Sequence, residues 1–217
     1  MAGTTVRDPG LVAAALTDAL AAHGYTIDPA AAQRLMGYDK PEAIRRLMRD
    51  GGGVRAADDT PLVMRIHAEF VTQMLRCYRE DPRVAPMPEA QECFAALRAR
   101  GIRIALNTAF SREIAVAITT RFGWLTDGRV DDLIATDEVA AGRPEPYMIR
   151  ALMARAGIDD PRAVLKIGDT EVDVREGRNA GAGLVVAVTT GAYSRAALEA
   201  YSPDRIIDSL RELPELL

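Results

Sequence analysis

Val164-Leu165-Lys166-Ile167-Gly168-Asp169-Thr170-Glu171-Val172-Asp173 is the stretch that decides the fold. An apolar run of strand length stops at a glycine and delivers Asp169 at its carboxyl end, and a second aspartate, Asp173, follows as a helix begins. Open α/β sheets bind ligands outside the carboxyl ends of their strands, so both carboxylates would face one rim. Two carboxylates at one rim suit a hard, oxygen-loving cation, Mg²⁺ above all. The same residues admit a plainer reading, with Asp169 a turn residue and helix cap and Asp173 a first-turn acid facing the helix dipole.

Outward from this stretch the elements alternate. Downstream, Glu176-Gly177-Arg178-Asn179-Ala180-Gly181 closes the helix and Leu184 to Val188 reads as a strand. Upstream come a helix from Glu145 to Ala156, a short strand from Leu133 to Ala135, a helix from Ser111 to Phe122 capped by Ser111, and a strand from Ile102 to Leu106. A helix from Glu89 to Arg100, closed by Gly101, precedes them. Strands alternating with helices imply an α/β class: a Rossmann-like, mostly parallel sheet with helices on both faces.

Before Asp81-Pro82 the pattern is helical throughout. Helices are expected from Leu11 to His23, from Pro29 to Met36 and from Pro41 to Arg49, with Gly51-Gly52-Gly53 a break. A longer one starts at Pro61 and runs to Arg79, with Leu62, Ile66, Phe70, Met74 and Cys77 along one stripe. Met1 to Val6 reads as a loop. The expected organisation is a short opening segment (1–8), a small all-helical insert (9–84) and an α/β core (85–217).

The chain has 217 residues, 48% of them hydrophobic, enough for one large core or a core with a small second unit. A net charge of −4 offers no basic surplus for a nucleic-acid backbone. No apolar run approaches membrane-spanning length and no charged-then-apolar leader opens the chain, so neither nucleic acid nor membrane is an expected partner. Its two cysteines, Cys77 and Cys93, lack metal or redox spacing and read as reduced thiols of a cytoplasmic protein.

Polar groups recur at the strand ends. Asn107-Thr108 follows one strand, where the Thr108 hydroxyl and the amides leading into the next helix could hold a phosphoryl oxygen. Arg143, in Gly142-Arg143-Pro144, could fork onto phosphate. Of the 27 basic residues only Lys40 and Lys166 are lysines. Lys166, inside a strand, reads as structural. Lys40 follows Met36-Gly37-Tyr38-Asp39 at a helix start, where it reads either as a solvated lysine or as an amine held for carbonyl chemistry, which a guanidinium cannot perform.

The order of Thr108, Arg143 and Gly168-Asp169-Thr170 with Asp173 resembles the later motifs of the haloacid dehalogenase superfamily. Ala2-Gly3-Thr4-Thr5, Met36-Gly37 with Lys40, Ala141-Gly142-Arg143-Pro144 with Pro146 and Met148, and Lys166 to Asp169 with Glu176 to Gly181 resemble its phosphonatase-like branch. The resemblance implies a Mg²⁺-dependent hydrolase with a helical cap, working on a small phosphorylated or phosphonylated substrate through an aspartyl-phosphate. Carried over, Lys40 is the cap lysine that condenses with an aldehyde, and Thr108 and Arg143 bind the phosphoryl group. Asp169 and the Ala2 carbonyl hold the metal, Asp173 supports it, and Thr4, Met36, Gly37 and Asn107 line the substrate. A homodimer through the cap, along the Leu62 to Cys77 stripe, is one use of that stripe; the cap's own core is the other.

Two departures accompany the resemblance. The family's nucleophilic aspartate, and the central strand that leads to it, would precede Met1; the expectation is that they lie upstream and that this chain alone hydrolyses little. The positions of a phosphonatase histidine and tyrosine hold Ala43 and Phe110, which weakens the case for phosphonoacetaldehyde itself. Alternative readings are a phosphomonoesterase of the same superfamily and a non-catalytic phosphate-binding protein.

Overall fold

The computed structural model describes residues 1–217. Four helices make the first half: α1 (Leu11–Ala21), α2 (Pro29–Arg34), α3 (Lys40–Asp50) and α4 (Thr60–Glu80). Asp28, Asp39 and Asp59 start the last three, each accepting a backbone N–H of the first turn ahead of a proline. The stripe on α4 is spent inside the chain. Ile66, Phe70 and Met74 are fully buried, against neighbours that include α1 and α6 (Arg112–Arg121), while Leu62 and Cys77 at its ends are half-buried, so the middle of the stripe is core.

The opening residues are not simply a loop. Val6–Arg7 forms β1 and pairs antiparallel with β2 (Ala85–Pro86), closing the helical segment at its base. Beyond it lie α5 (Ala90–Ala99), β3 (Ala105–Thr108), α6, β4 (Asp132–Ala135), α7 (Tyr147–Ala156), β5 (Leu165–Gly168), α8 (Glu171–Ala180), β6 (Leu184–Val188), α9 (Arg195–Glu199) and β7 (Arg205–Ile207). β3 pairs in parallel with β4, and β5, β6 and β7 form a second parallel ladder.

Two further expectations need correction, and two short elements carry none. The strand expected from Ile102 begins at Ala105, because the Ile104 N–H is taken by the Asp131 carboxylate at 2.8 Å before the ladder starts. Ser111 sits at the helix start but its hydroxyl caps nothing; Asp137 accepts the Arg112 N–H instead, at 2.9 Å. α9 and β7, five and three residues long, carry too little periodicity to be read from sequence.

β3 and β5 each have one unpaired edge, and the two edges line a single cleft of about 640 Å³ with Leu97, Ile149 and Leu213. One apolar cluster of 40 buried residues joins the halves, from Val12, Leu47 and Phe70 in the helical segment to Phe94, Trp124 and Val186 in the sheet layers. No helix is long and apolar enough to cross a membrane.

Candidate active site

The carboxyl ends of β3 and β5 carry the floor of the site. Asp169 leaves β5 and accepts the Thr4 hydroxyl at 2.7 Å and the Ala192 N–H at 3.0 Å. Gly3, with φ +81°, and Gly191 press so closely on this carboxylate that neither position has room for a β-carbon. Four residues on, in the first turn of α8, Asp173 accepts the Thr170 hydroxyl at 2.5 Å.

Beneath the floor runs a buried ionic network. Lys166 Nζ stands 2.8 Å from both Asp173 Oδ1 and Glu176 Oε2. Arg143 reaches the same two carboxylates, Nη1 at 3.0 Å from Asp173 and Nε at 3.1 Å from Glu176. Asn107 completes the set, donating to both Glu176 oxygens at 2.9 Å while its Oδ1 accepts from Lys166 at 3.0 Å and from Arg143 at 2.9 Å. Burial works to raise the Asp173 carboxyl, but Arg143 and Lys166 overcome it and hold it well below the usual range.

Asp169 differs. It makes no ion pair, and burial, reinforced by the Asp173 charge, pushes its carboxyl above the ordinary value. Two cations therefore face three carboxylates, with the surplus negative charge on Asp169. A hard cation held by one or two carboxylates, its other positions left to water and phosphate oxygens, suits that surplus.

The roof comes from the turn between α2 and α3. Gly37, at φ +86°, brings the turn against Thr170 and Val172 of the core, where a β-carbon would collide with the threonine hydroxyl. Tyr38 donates to Glu171 at 2.5 Å, and Tyr193 donates to the Arg34 carbonyl at 3.0 Å, tying roof to floor. Lys40 is not a solvated lysine: it is 3% exposed, opens α3, and donates only to the Tyr38 carbonyl at 3.2 Å. Its amine lies 5.7 Å from the Phe110 ring centroid, and burial lowers it from 10.5 to about 8.

Roof and floor enclose a cavity of about 120 Å³. Ala2, Met36, Gly37, Lys40, Thr108, Arg143, Asp169 and Asp173 all line it. Thr4 and Asn107 do not. Their short side chains are turned to Asp169 and to Glu176, so they position groups instead of lining the substrate. Arg143, 7% exposed, reaches the cavity with its guanidinium already paired, and the Thr108 hydroxyl accepts the Phe110 N–H at 3.2 Å. Sequence reasoning passed over Asp8, which lines the cavity, and Glu176, which anchors the network. Asp8-Pro9-Gly10 carries only a turn signal, and Glu176 stands in a motif quoted for the fold and not for the site.

A family model described as haloacid dehalogenase-like hydrolase matches residues 1–181. The chain belongs to that family. Haloacid dehalogenase-like hydrolases are enzymes, and the sequence is similar to phosphonoacetaldehyde hydrolases. The one from Latilactobacillus sakei subsp. sakei (strain 23K) is 35% identical over 112 residues, 52% of this chain and 40% of that protein. The match thus spans about two fifths of the length of this curated relative. A hydrolase from Pseudomonas syringae shares the fold with a TM-score of 0.86 at 21% identity, over 99% of this chain and 94% of that one. A phosphonoacetaldehyde hydrolase like protein from Oleispira antarctica does so at 0.82, also at 21% identity, over 99% and 88%.

Proposed function

We propose that this haloacid dehalogenase-like hydrolase is phosphonatase-like, cleaving the C–P or P–O bond of a small phosphonylated or phosphorylated substrate with Mg²⁺. The observation that carries the reading is Lys40: a buried amine without an ion pair, in one cavity with Thr108, Arg143, Asp169 and Asp173. With its pKa brought down to about 8, a useful fraction of that amine is neutral and nucleophilic near neutral pH. It condenses with a substrate carbonyl, and the resulting iminium draws the bonding electrons away as carbon leaves phosphorus. Thr108 and the amides leading into α6 hold phosphoryl oxygens, and Arg143 supplies positive charge at the same end.

Asp169 and the Ala2 carbonyl would hold the metal, with Asp173 supporting it. Mg²⁺ would neutralise charge on the phosphoryl oxygens. A strand ending in an attacking aspartate would suit the cleft between β3 and β5, whose two unpaired parallel edges fit one more strand.

Borohydride reduction in the presence of phosphonoacetaldehyde tests the reading without needing the nucleophile. Peptide mapping should find the substrate carbons on Lys40. No adduct at Lys40, together with turnover of simple phosphate esters that Lys40→Ala leaves intact in a chain extended upstream, would identify a phosphomonoesterase instead.

A further inference from the structure

Imine formation needs a proton carrier as well as an amine, because the carbinolamine loses its hydroxyl only as water. The cavity holds five ionisable side chains: Asp8, Lys40, Arg143, Asp169 and Asp173. Arg143 and Asp173 are locked in the buried network. Asp169 lies at the phosphoryl end, with Thr4 and the Ala192 N–H on its oxygens. Ala43 and Phe110 carry no proton. Of these side chains, Asp8 is left to serve Lys40.

Its geometry suits the task. Asp8 follows β1, and its carboxylate takes the Leu11 N–H at 2.6 Å on one oxygen and the Val12 N–H at 3.4 Å on the other, so the start of α1 fixes its position. It makes no ion pair, although Lys40 lines the same cavity and the two charges influence each other. A carboxyl and an amine facing one small cavity without touching leave room for a carbonyl carbon and its oxygen between them.

We propose that Asp8 is the acid–base catalyst for imine chemistry at Lys40, acting on small phosphonylated or phosphorylated aldehydes and ketones. The proposal rests on the Schiff-base reading given above. Neutral Lys40 adds to the carbonyl carbon to give a carbinolamine. Asp8 then gives its proton to the hydroxyl, which departs as water while the nitrogen lone pair forms the C=N bond of the iminium. In the reverse direction, when water adds to the iminium, the Asp8 carboxylate takes the proton back. Burial, which raises the Asp8 carboxyl above its ordinary value, favours the acid form the first step requires. The other charged groups that bear on Lys40 are Asp39 beside it, Arg143 below and His67 on α4.

The test is the initial rate of borohydride trapping of phosphonoacetaldehyde on Lys40, read by mass spectrometry between pH 5 and 9. Asp8→Asn keeps an oxygen for the 2.6 Å bond from the Leu11 N–H and gives up only the longer one from Val12, and a thermal melt checks that the fold is kept. Loss of the general acid should slow trapping roughly 10²-fold and flatten its pH profile, and Asp8→Glu should recover part of the rate. An Asp8 that acted only through its charge would give the reverse result. Removing it would lower Lys40 further, leave more free amine and speed trapping. Equal or faster trapping in Asp8→Asn, with wild type still trapping at Lys40, overturns the role of Asp8 and leaves the imine reading standing. Absence of trapping in wild type overturns both.

Discussion

The chain's two lysines are both buried, Lys40 3% and Lys166 6% exposed, yet their surroundings are opposites. Lys166, under the floor, has two carboxylates at 2.8 Å and an amide oxygen at 3.0 Å. Lys40, in the roof, has one backbone carbonyl and the face of the Phe110 ring. Burying a charge is costly without a partner and tolerable with one. The floor is therefore built for permanent charge and holds its groups still, whereas the roof keeps an amine whose charge is easily given up. The contrast separates positioning from reactivity within one small cavity.

The largest expected effect breaks the floor. Lys166→Met leaves Asp173 and Glu176 sharing Arg143 alone in a dry site, and should destabilise the chain by roughly 3–5 kcal/mol in urea unfolding. A change within experimental error would mean that the network contributes nothing to the fold.

The roof should respond with the opposite sign. Folding moves Lys40 from 10.5 to about 8, so between those values the unfolded chain binds more protons and stability must rise with pH. Below pH 8 the full penalty is present, about 3 kcal/mol, and it disappears towards pH 10.5. Lys40→Met, which keeps the apolar stem, should be more stable than wild type below pH 8, and the two should converge above it. Parallel stability curves would show the amine to be solvated. A smaller effect, about 1 kcal/mol, is expected for Tyr38→Phe, which removes the hydroxyl that ties the roof to Glu171; equilibrium unfolding would detect it.

What could be read from the sequence follows the same division. Local signals placed the elements well: Gly168-Asp169 at a strand end, proline at three helix starts, and the α4 stripe. Boundaries moved by a few residues where a side chain elsewhere took a backbone group, as Asp131 does at Ile104 and Asp137 at Arg112. Partnership at long range had no signal. Nothing in Gly142-Arg143-Pro144 says that the guanidinium meets a glutamate at position 176, and nothing in Asp8-Pro9-Gly10 says which way a capping carboxylate faces. Lys40 stood out through rarity, but its burial depends on a roof that only folding assembles.

The β1–β2 clasp has a mechanical consequence. The chain leaves the α/β core and returns to it through two straps, and Val6–Arg7 and Ala85–Pro86 stitch them together at the base. Straps joined this way enter and leave the helical segment at one place, and the apolar cluster shared with the sheet layers seats that segment on the core. Asp8 sits one residue beyond the clasp with its carboxylate fixed to the start of α1, and Lys40 opens α3, so carboxyl and amine are both carried by the helical segment that the clasp anchors.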